Sequence, residues 1–315
     1  MRMLVTGGAG FIGSAVVDAC LAQGHDVAVV DDLSTGSAAH VAGRARIYKV
    51  DVRSPELDAV FAAERPEIVS HHAARVSVRR SGDAPLADAE VNVLGSLNVL
   101  EAARRHGVRR VILASTGGAI YGEPDGPAAD ETHPCRPRSA YAVAKLAVEH
   151  YLEGYERWGL ERVVLRYASV YGPRQDPYGE AGVVAIFIER ILAGRAPTIF
   201  GDGEQVRDFV HVDDVVRANQ AAHVLDLRDG ERALFNIGTG RGTSVLGLWR
   251  VLARVTGSTV VPSHEPARAG DLVRNVLDAG RARRVLGWVP RVDIEQGLRQ
   301  TWAWFVAHAR ARVAA

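Results

Sequence analysis

Short apolar runs alternate with longer stretches of helical periodicity along the first half of the chain. The apolar runs cover residues 3–6, 27–30, 47–50, 68–70 and 111–114. Continuous runs of this length are typical of strands in a parallel sheet that is covered on both faces. Helices are predicted between them, up to about Gln23 and over 55–65, 86–106 and 140–158. This alternation predicts an α/β fold with a doubly wound parallel sheet.

The first predicted strand leads directly into a glycine-rich turn, Gly7–Gly13. Glycines at 7, 10 and 13 allow a tight turn and a close approach of the backbone to a pyrophosphate at a helix N-terminus. Asp31 ends the next strand, 18 residues after Gly13. Strand, turn, helix and acid together form the context that a dinucleotide-binding site requires. The carboxylate of Asp31 suits a ribose diol and repels a 2′-phosphate, so NAD is preferred to NADP.

The later strands also end in segments that can line a ligand site, because such sheets bind ligands at the carboxyl ends of their strands. Asp51, Ala73 and Ser115 lie in these segments. Two adjacent histidines, His71 and His72, precede Ala73. Their side chains point apart in an extended segment, and no Cys, His or carboxylate cluster nearby completes a metal site. We therefore expect core packing or a hydrogen-bonded turn.

A second chemical signal lies at 115–145. Tyr141 and Lys145 are four apart on a predicted helix with Ser139 as its N-cap, so they share a face. An ammonium one turn away lowers the pKa of a phenol. The hydroxyl of Ser115 or Thr116, at a strand end, can donate to a substrate oxygen while the phenolate takes its proton. Separately these would be a surface pair and a structural serine; with the glycine-rich turn they favour catalysis.

Together these motifs resemble the extended short-chain dehydrogenase/reductase family, and within it the NAD-dependent nucleotide-sugar epimerases. The resemblance covers nearly the whole chain. The segments that carry it are Gly7–Gly13, Asp31–Leu33, Asn92–Gly95, Ser115–Gly122, Tyr141–Lys145, Tyr171–Gln175, Phe200–Gly203, Arg207–Asp214, Asn236–Gly240 and Arg268–Asp271. It implies a Rossmann-type sheet with a smaller α/β substrate-binding lobe.

The resemblance also implies which residues hold the ligands. For NAD they are Gly7, Gly10, Phe11, Ile12, Gly13, Asp31, Asp32, Leu33, Ser34, Thr35, Gly36, Asp51, Val52, His72, Ala73, Ala74, Asn92, Ser115, Tyr141, Lys145 and Tyr167. For a UDP-sugar they are Thr116, Tyr141, Ser169, Arg207, Arg268 and Asp271. The two arginines would hold the diphosphate, with Asp271 near the uridine ribose. A surface salt bridge to Asp208 or Asp271 is the alternative for either arginine.

Two positions depart from the family pattern. Ser169 stands where many relatives have an Asn whose amide contacts the substrate, and the shorter donor would weaken or redirect that contact. Gly117 stands where the catalytic hydroxyl usually lies, four residues before the Tyr-Gly pair. A variant of the family has one extra residue in this loop. On that pattern Thr116 is the catalytic hydroxyl, and Ser115 is the second choice.

The same resemblance implies a reaction, the interconversion of UDP-glucose and UDP-galactose. Tyr141 takes the proton of the sugar 4-hydroxyl, hydride passes from C4 to NAD, and the 4-keto sugar turns over before it is reduced. Thr116 holds the oxygen, and Lys145 also binds the nicotinamide ribose. Dehydratases and decarboxylases of the family carry a carboxylate after the hydroxyl, whereas this chain has none before Glu123.

Alternatives to this reaction stay open at this point. They are an epimerase of UDP-N-acetylhexosamine or UDP-glucuronate, a 4-reductase, a dehydratase, and a non-catalytic dinucleotide-binding protein. Tight retention of NAD would argue against an enzyme with a dissociable cofactor. The presence of a hydroxyl, a tyrosine and a lysine together argues against a mere binding module, although the fold alone does not exclude one.

Composition restricts the partners and the location. A net charge of +1 gives no basic face for nucleic acid, and no apolar run approaches transmembrane length. Two cysteines, Cys20 and Cys135, are too few for a disulfide framework. The glycine-rich turn follows the first residues at once, so we expect no signal peptide and a cytoplasmic protein.

The length of 315 residues suits two lobes. We expect a dinucleotide-binding lobe of residues 1–172 with a returning segment of about 211–245, and a nucleotide-sugar lobe of 173–210 and 246–315. Dimerisation through the 86–106 and 140–158 helices is a family expectation, and the same apolar stripes would fit burial within one chain.

Overall fold

A computed structural model describes residues 1–41, 43–178, 182–227, 233–268 and 270–314, without the side chains of 78–80 and 310–314. The strands are β1 Arg2–Thr6, β2 Asp26–Val30, β3 Arg46–Tyr48, β4 Ile68–His71, β5 Arg110–Thr116, β6 Glu161–Tyr167, β7 Ser169–Tyr171, β8 Thr198–Phe200, β9 Val206–His211, β10 Leu234–Ile237, β11 Gly242–Ser244, β12 Ser263–Glu265 and β13 Arg274–Asn275. The helices are α1 Phe11–Ala22, α2 Glu56–Glu64, α3 Val78–Asp83, α4 Pro85–Ala89, α5 Ser96–Arg105, α6 Gly117–Ile120, α7 Ala140–Gly154, α8 Val183–Leu192, α9 Val212–Val224, α10 Val245–Thr256, α11 Gly280–Val285 and α12 Ile294–Ala314.

Seven parallel strands form the main sheet in the order β10-β6-β5-β4-β1-β2-β3. One apolar core lies under α1 and α9, and the other lies under α2, α5 and α7. Helices therefore cover both faces, which confirms the predicted doubly wound sheet. The register pairs Thr6 with His71 and Thr116 with Tyr167, so the predicted site segments meet at one edge.

Two predicted elements differ from the structure. The strand at 47–50 is observed as Arg46–Tyr48, an edge strand that pairs only with β2 and leaves Ile47 exposed. The predicted helix at 86–106 is broken, because a π-helical turn, Glu90–Gly95, joins α4 to α5. At Gly95 a Cβ atom would lie 2.8 Å from the Val52 side chain, so this turn packs closely against the loop after β3.

A smaller unit follows the main sheet. In it β9 pairs with β7, β11 and β13, and β8 pairs with β12. Its core lies among α8, α10 and α12. The returning segment adds α9 and β10 to the main unit, whereas the exact lobe boundaries stay a prediction. Across the described residues, every helix is too short or too polar to cross a membrane.

One buried cation ties the returning segment to the main sheet. The side chain of Arg110, at the start of β5, is only 2% exposed and forms an ion pair with Glu161. Its guanidinium also donates to the carbonyl oxygens of Ala222, His223 and Leu225, at 2.7, 3.0 and 2.6 Å. The end of α9 therefore supplies acceptors to a charge that lies more than 110 residues earlier in the chain.

Candidate functional site

The glycine-rich turn packs too closely for side chains at two of its positions. Gly7 has φ +66°, and a Cβ there would lie 2.6 Å from the Ala73 nitrogen. At Gly13 a Cβ would overlap the Gly7 carbonyl oxygen, so α1 rests directly on the turn. The first turn of α1 has neither a side-chain cap nor an acidic residue. Its N–H groups are therefore available to an anion.

Asp31 is buried behind this turn, with 7% of its surface exposed. Its carboxylate accepts from the backbone N–H groups of Ala9 and Leu33, both at 2.9 Å. Leu33 adopts a left-handed conformation with φ +60°. The carboxylate therefore fixes the glycine-rich turn and the following loop together, and keeps further lone pairs for a ligand.

Apart from Gly10 in the turn and Ser115, Tyr141 and Lys145 described below, the other residues predicted for NAD fall into two groups. Those of the first group lie at the start of α1 or in the loops that follow β2 and β4: Phe11, Ile12, Asp32, Ser34, Thr35, Gly36, His72, Ala73 and Ala74. Four others face different protein neighbours. Asp51 forms an ion pair with Arg53, and hydrogen bonds from Arg53 lower the pKa of Asp51. Val52 packs on Gly95.

The remaining two have polar atoms engaged by the protein. The side chain of Asn92 accepts from the Arg75 nitrogen at 2.8 Å and donates to the Arg75 carbonyl at 2.9 Å. Tyr167 accepts from the Asn219 amide at 2.9 Å, on the side of α9. These contacts give both residues a structural role in holding neighbouring segments, and their place in the NAD site stays a prediction.

The histidine pair is hydrogen-bonded in the core, as expected. His71 hydrogen-bonds with the hydroxyls of Thr6 at 2.6 Å and Ser96 at 2.9 Å. His72 hydrogen-bonds with Ser70 at 2.9 Å through Nε2, while its buried Nδ1 has no protein partner among the described residues. Burial first, and then the charge of Lys145, lower the pKa of each histidine to about 3. Both rings are therefore neutral at neutral pH.

Because these histidines are buried and neutral, the folded protein should be less stable in mild acid. Burial also lowers the pKa of His223 to about 4, against an ordinary value of 6.5. Below pH 6.5 the unfolded chain binds protons that the folded chain does not, so stability falls as pH decreases from 6.5. We expect a slope of about 1.4 kcal/mol per pH unit for each of His71, His72 and His223. Urea unfolding between pH 7.5 and 5.0 measures it.

A matched pair of variants tests the cause of that slope. Neither ring nitrogen of His223 has a hydrogen-bond partner among the described residues, so His223→Leu removes the titrating group without breaking a bond. We expect His223→Leu to reduce the slope by about 1.4 kcal/mol per pH unit, because it removes one buried histidine that stays neutral in the folded protein. His150 is 71% exposed, and His150→Gln should leave the slope unchanged. Stability that stays constant between pH 6.5 and 5.0 would contradict the prediction.

Tyr141 and Lys145 stand on one face of α7, which begins with Ser139 as an N-cap accepting from Ala142 at 3.2 Å. Lys145 is buried and donates to the Ala114 carbonyl of β5 at 2.9 Å. Burial lowers the pKa of Lys145 to about 8, against the opposing effects of Glu149 and Asp88. The side chain of Thr116 lies close enough to the Tyr141 hydroxyl to lower the pKa of Tyr141. The structure thus brings all three predicted catalytic residues together.

The prediction that the Lys145 ammonium lowers the pKa of Tyr141 is wrong. Burial, and then the negative charge of Asp88, raise the pKa of Tyr141 above its ordinary value of 10.0, and only the effect of the Thr116 side chain opposes them. The ammonium of Lys145 is directed to the Ala114 carbonyl instead. Because a phenolate in an apolar site loses its hydration, burial dominates. The protein side chains alone therefore keep Tyr141 protonated.

The two positions flanking Thr116 show why its hydroxyl is the better candidate. Ser115 donates to the Glu149 carboxylate, which also pairs with Arg166 at 2.6 Å. The Ser115 hydroxyl is therefore already engaged in a buried network. At Gly117 a Cβ would lie 2.5 Å from the Leu277 side chain, so a hydroxyl-bearing residue there would displace Leu277. This geometry favours Thr116.

The residues predicted for the UDP portion lie on the smaller unit. Arg207 donates to the Leu272 carbonyl at 2.7 Å and forms an ion pair with Asp271. The alternative of a salt bridge is thus observed for Arg207, with Asp271 as its partner. The guanidinium of Arg268 stacks on Phe200, 3.7 Å from the ring centre. Ser169 begins β7, half-buried, beside Phe209 of β9.

Within the part of the chain that the structure describes, Asp208 forms no ion pair with an arginine. It is 1% exposed and accepts from the nitrogens of Thr239, Gly240 and Leu277, at 2.9, 3.0 and 3.3 Å. Because the carboxylate is enclosed, burial raises the pKa of Asp208. It therefore joins three segments beneath the site, a role that the sequence did not indicate.

Comparison with known proteins identifies the family. The sequence pattern of the NAD dependent epimerase/dehydratase family matches residues 3–238. The chain belongs to this family. NAD is therefore its cofactor, and the free N–H groups of α1, the closely packed glycines and the unpartnered Nδ1 of His72 fit a dinucleotide at the glycine-rich turn.

Members of the epimerase/dehydratase family resemble the chain over its whole length. A UDP-glucose 4-epimerase of Mycolicibacterium smegmatis is 46% identical over 311 residues, which are 97% of this chain and 98% of that protein. The crystal structure of the Thermotoga maritima UDP-glucose 4-epimerase with UDP-glucose is 48% identical and has a TM-score of 0.94. That match covers 98% of this chain and 100% of the Thermotoga chain.

A third relative in the family was solved with the cofactor. It is the UDP-glucose 4-epimerase of Thermus thermophilus in complex with NAD, which is 46% identical with a TM-score of 0.91. The match covers 97% of this chain and 99% of that one. Full-length similarity at this identity confirms the resemblance that the motifs indicated.

Proposed function

We propose that this protein is a UDP-glucose 4-epimerase, which interconverts UDP-glucose and UDP-galactose through transient oxidation at C4 of the sugar. The observation that carries the proposal is the grouping of Thr116, Tyr141 and a buried Lys145 at the same sheet edge as the glycine-rich turn. Gly117 and Gly118 follow Thr116, so the carboxylate that a dehydratase needs is missing from those positions.

Each of the three side chains has a role in moving or holding a proton. Because the protein side chains alone leave Tyr141 protonated, it must first release its own proton to solvent, which the positive charge of bound NAD would favour. As a phenolate, Tyr141 takes the proton of the sugar 4-hydroxyl and returns it when C4 is reduced. Thr116 donates a hydrogen bond to the sugar oxygen and keeps it beside Tyr141. Lys145 holds its ammonium close to the site by donating to the Ala114 carbonyl. When bound, NAD supplies the group that accepts and returns hydride.

The cofactor would be held by the glycine-rich turn and by Asp31. The N–H groups that begin α1 suit its pyrophosphate, and the Asp31 carboxylate suits the adenosine ribose hydroxyls. His72 offers one further polar atom, its unpartnered Nδ1. The enclosed position of Asp31 excludes a 2′-phosphate, since two negative charges would meet with little water between them.

The UDP portion would be held by Arg207 and Arg268. Guanidinium groups suit the oxygens of a diphosphate, and both arginines lie on the smaller unit with Asp271. Binding the diphosphate through Arg207 would exchange its ion pair with Asp271 for a phosphate contact, which frees the Asp271 carboxylate for ribose hydroxyls. Ser169 would contact the substrate from β7.

Incubation of the purified protein with UDP-galactose, without added cofactor, tests the function directly. We expect NMR to detect UDP-glucose forming, because a retained NAD is regenerated in every cycle. UDP-N-acetylgalactosamine and UDP-glucuronate are the competing substrates and should react more slowly. No conversion of UDP-galactose, in the presence of bound NAD and with added free NAD, would contradict the proposal.

We also propose that the protein is a homodimer in the cytoplasm. Apolar side chains project from the segment α4 to α5 and from α7, and four of them are about half exposed or more: Leu86, Leu94, Val143 and Tyr151. Covering these side chains would stabilise a paired state. Light scattering should give the mass of two chains. Cys20 and Cys135 are both free thiols, which suits a reducing compartment.

A further inference from the structure

The carboxylate of Glu123 accepts hydrogen bonds from the backbone of a distant segment. Its Oε1 accepts from the Arg274 nitrogen at 2.8 Å, and its Oε2 accepts from the Val273 nitrogen at 3.1 Å. Glu123 ends the segment 116–123, named here the catalytic loop because it begins with Thr116. Its partners belong to residues 270–277, named here the clamp segment because it carries Asp271. One side chain therefore joins these two segments across 150 positions of sequence.

The clamp segment is also joined to the residue proposed to hold the diphosphate. In β13, Arg274 pairs with Val206 and Asn275 pairs with Arg207 of β9. The Arg207 guanidinium donates to the Leu272 carbonyl at 2.7 Å and pairs with Asp271. The two N–H groups held by Glu123 thus follow directly after the residues that contact Arg207. A movement of Arg207 toward a phosphate would therefore shift the backbone whose N–H groups donate to Glu123.

The catalytic loop is attached to the clamp segment at its other end as well. The Asn275 amide donates to the Gly117 carbonyl at 3.4 Å, and Leu277 fills the space beside the Gly117 α-carbon. Within the loop, Tyr121 is buried and donates to the Asn236 side chain at 2.8 Å. The loop therefore has little freedom of its own. Its position follows that of the clamp segment at Gly117, next to Thr116, and at Glu123.

We infer that Glu123 is a positioning residue that couples the diphosphate-binding segment to the Thr116 hydroxyl. The inference rests on the proposed function, because it assigns an effect to nucleotide binding on the epimerase reaction. Both Glu123 oxygens accept from backbone N–H groups of the clamp segment, so the side chain joins the two segments directly. A diphosphate bound at Arg207 holds the clamp segment in one position. Through its hydrogen bonds to that segment, Glu123 then holds the catalytic loop, which carries Thr116, in one position as well.

Steady-state kinetics of two Glu123 variants test this coupling. Glu123→Ala removes both acceptors, whereas Glu123→Gln keeps one acceptor and presents an amide donor to the second N–H. We expect Glu123→Ala to lower kcat about tenfold and to weaken binding of UDP, measured by calorimetry, about fivefold, with Glu123→Gln in between. Glu67→Ala is the matched control, since Glu67 also accepts from a backbone N–H, that of Arg2 at 3.3 Å, at the opposite end of β1.

A double-mutant cycle separates coupling from a local structural effect. If Glu123 acts through Thr116, Glu123→Ala should lower kcat less than twofold in a Thr116→Val background. An equal loss in both backgrounds would overturn the inference, as would an unchanged kcat with only weaker UDP binding. If Glu123→Ala does not fold, Glu123→Gln carries the same cycle. A wild-type protein that converts no UDP-galactose overturns the proposed function, whereas an active wild type with an equally active Glu123→Ala overturns the coupling alone.

Discussion

Replacement of Tyr141 by Phe is expected to lower kcat for UDP-galactose by about a thousandfold or more, the range in which general acid-base catalysis acts. The hydroxyl that the substitution removes is the group proposed to exchange the substrate proton, and it lies beside Thr116. The ring stays buried on α7, so the fold and the NAD content should be preserved. Single-turnover and steady-state assays with UDP-galactose measure the effect.

A second tyrosine on the same helix provides the control. Tyr151 is 48% exposed, and Tyr151→Phe should leave kcat unchanged. The NAD content of both variants, determined after denaturation, distinguishes lost chemistry from lost cofactor. A Tyr141→Phe protein with full NAD content that keeps more than a tenth of the wild-type rate would assign the proton transfer to another group.

The largest effect on stability is expected at a buried ion pair. Glu149 and Arg166 have side chains only 7% and 5% exposed, and the Arg166 guanidinium donates to both carboxylate oxygens of Glu149. Glu149→Ala leaves Arg166 buried without its counter-ion, and it also removes the acceptor of the Ser115 hydroxyl. Loss of one partner of a buried pair costs about 3–5 kcal/mol, so we expect that decrease in the free energy of unfolding.

Urea unfolding of three variants tests the origin of this decrease. Glu153→Ala, one turn further along α7, removes a carboxylate that is 47% exposed and pairs with Arg162 at 3.5 Å. It should cost no more than about 1 kcal/mol, as is usual for exposed pairs. Adding Arg166→Met to Glu149→Ala removes the unpaired charge and should recover part of the loss. Equal effects of Glu149→Ala and Glu153→Ala would contradict this account.

Local spacing was sufficient to predict the parts of the site that lie within one element. The four-residue spacing of Tyr141 and Lys145 on a helix, and the glycine-rich turn between a strand and a helix, predicted the arrangement that the structure shows. The alternation of apolar runs predicted the parallel sheet. The residues that this reasoning missed include Glu149, although its position four residues after Lys145 gave the signal that it shares their face.

Contacts between distant segments could not be predicted in this way. The partner of Arg207, Asp271, lies 64 positions later, and only the pairing of β13 with β9 brings them together. The pKa of Tyr141 depends on how deeply the ring is buried and on Asp88, neither of which the helix pattern reveals. For the same reason the sequence offered no sign that Glu123 reaches the clamp segment.

The position of β10 at one edge of the main sheet has a consequence for how the protein is made. While the chain emerges from the ribosome, β6 is complete long before residues 234–237 are available to cover its edge. Arg110 likewise lacks the acceptors that Ala222, His223 and Leu225 later provide. A nascent chain that stops before Ile237 therefore carries an unpaired strand edge, and Arg110 stays hydrated until the end of α9 covers it. We therefore expect the main sheet to be completed only in the last third of translation, and the exposed edge of β6 to favour aggregation until then.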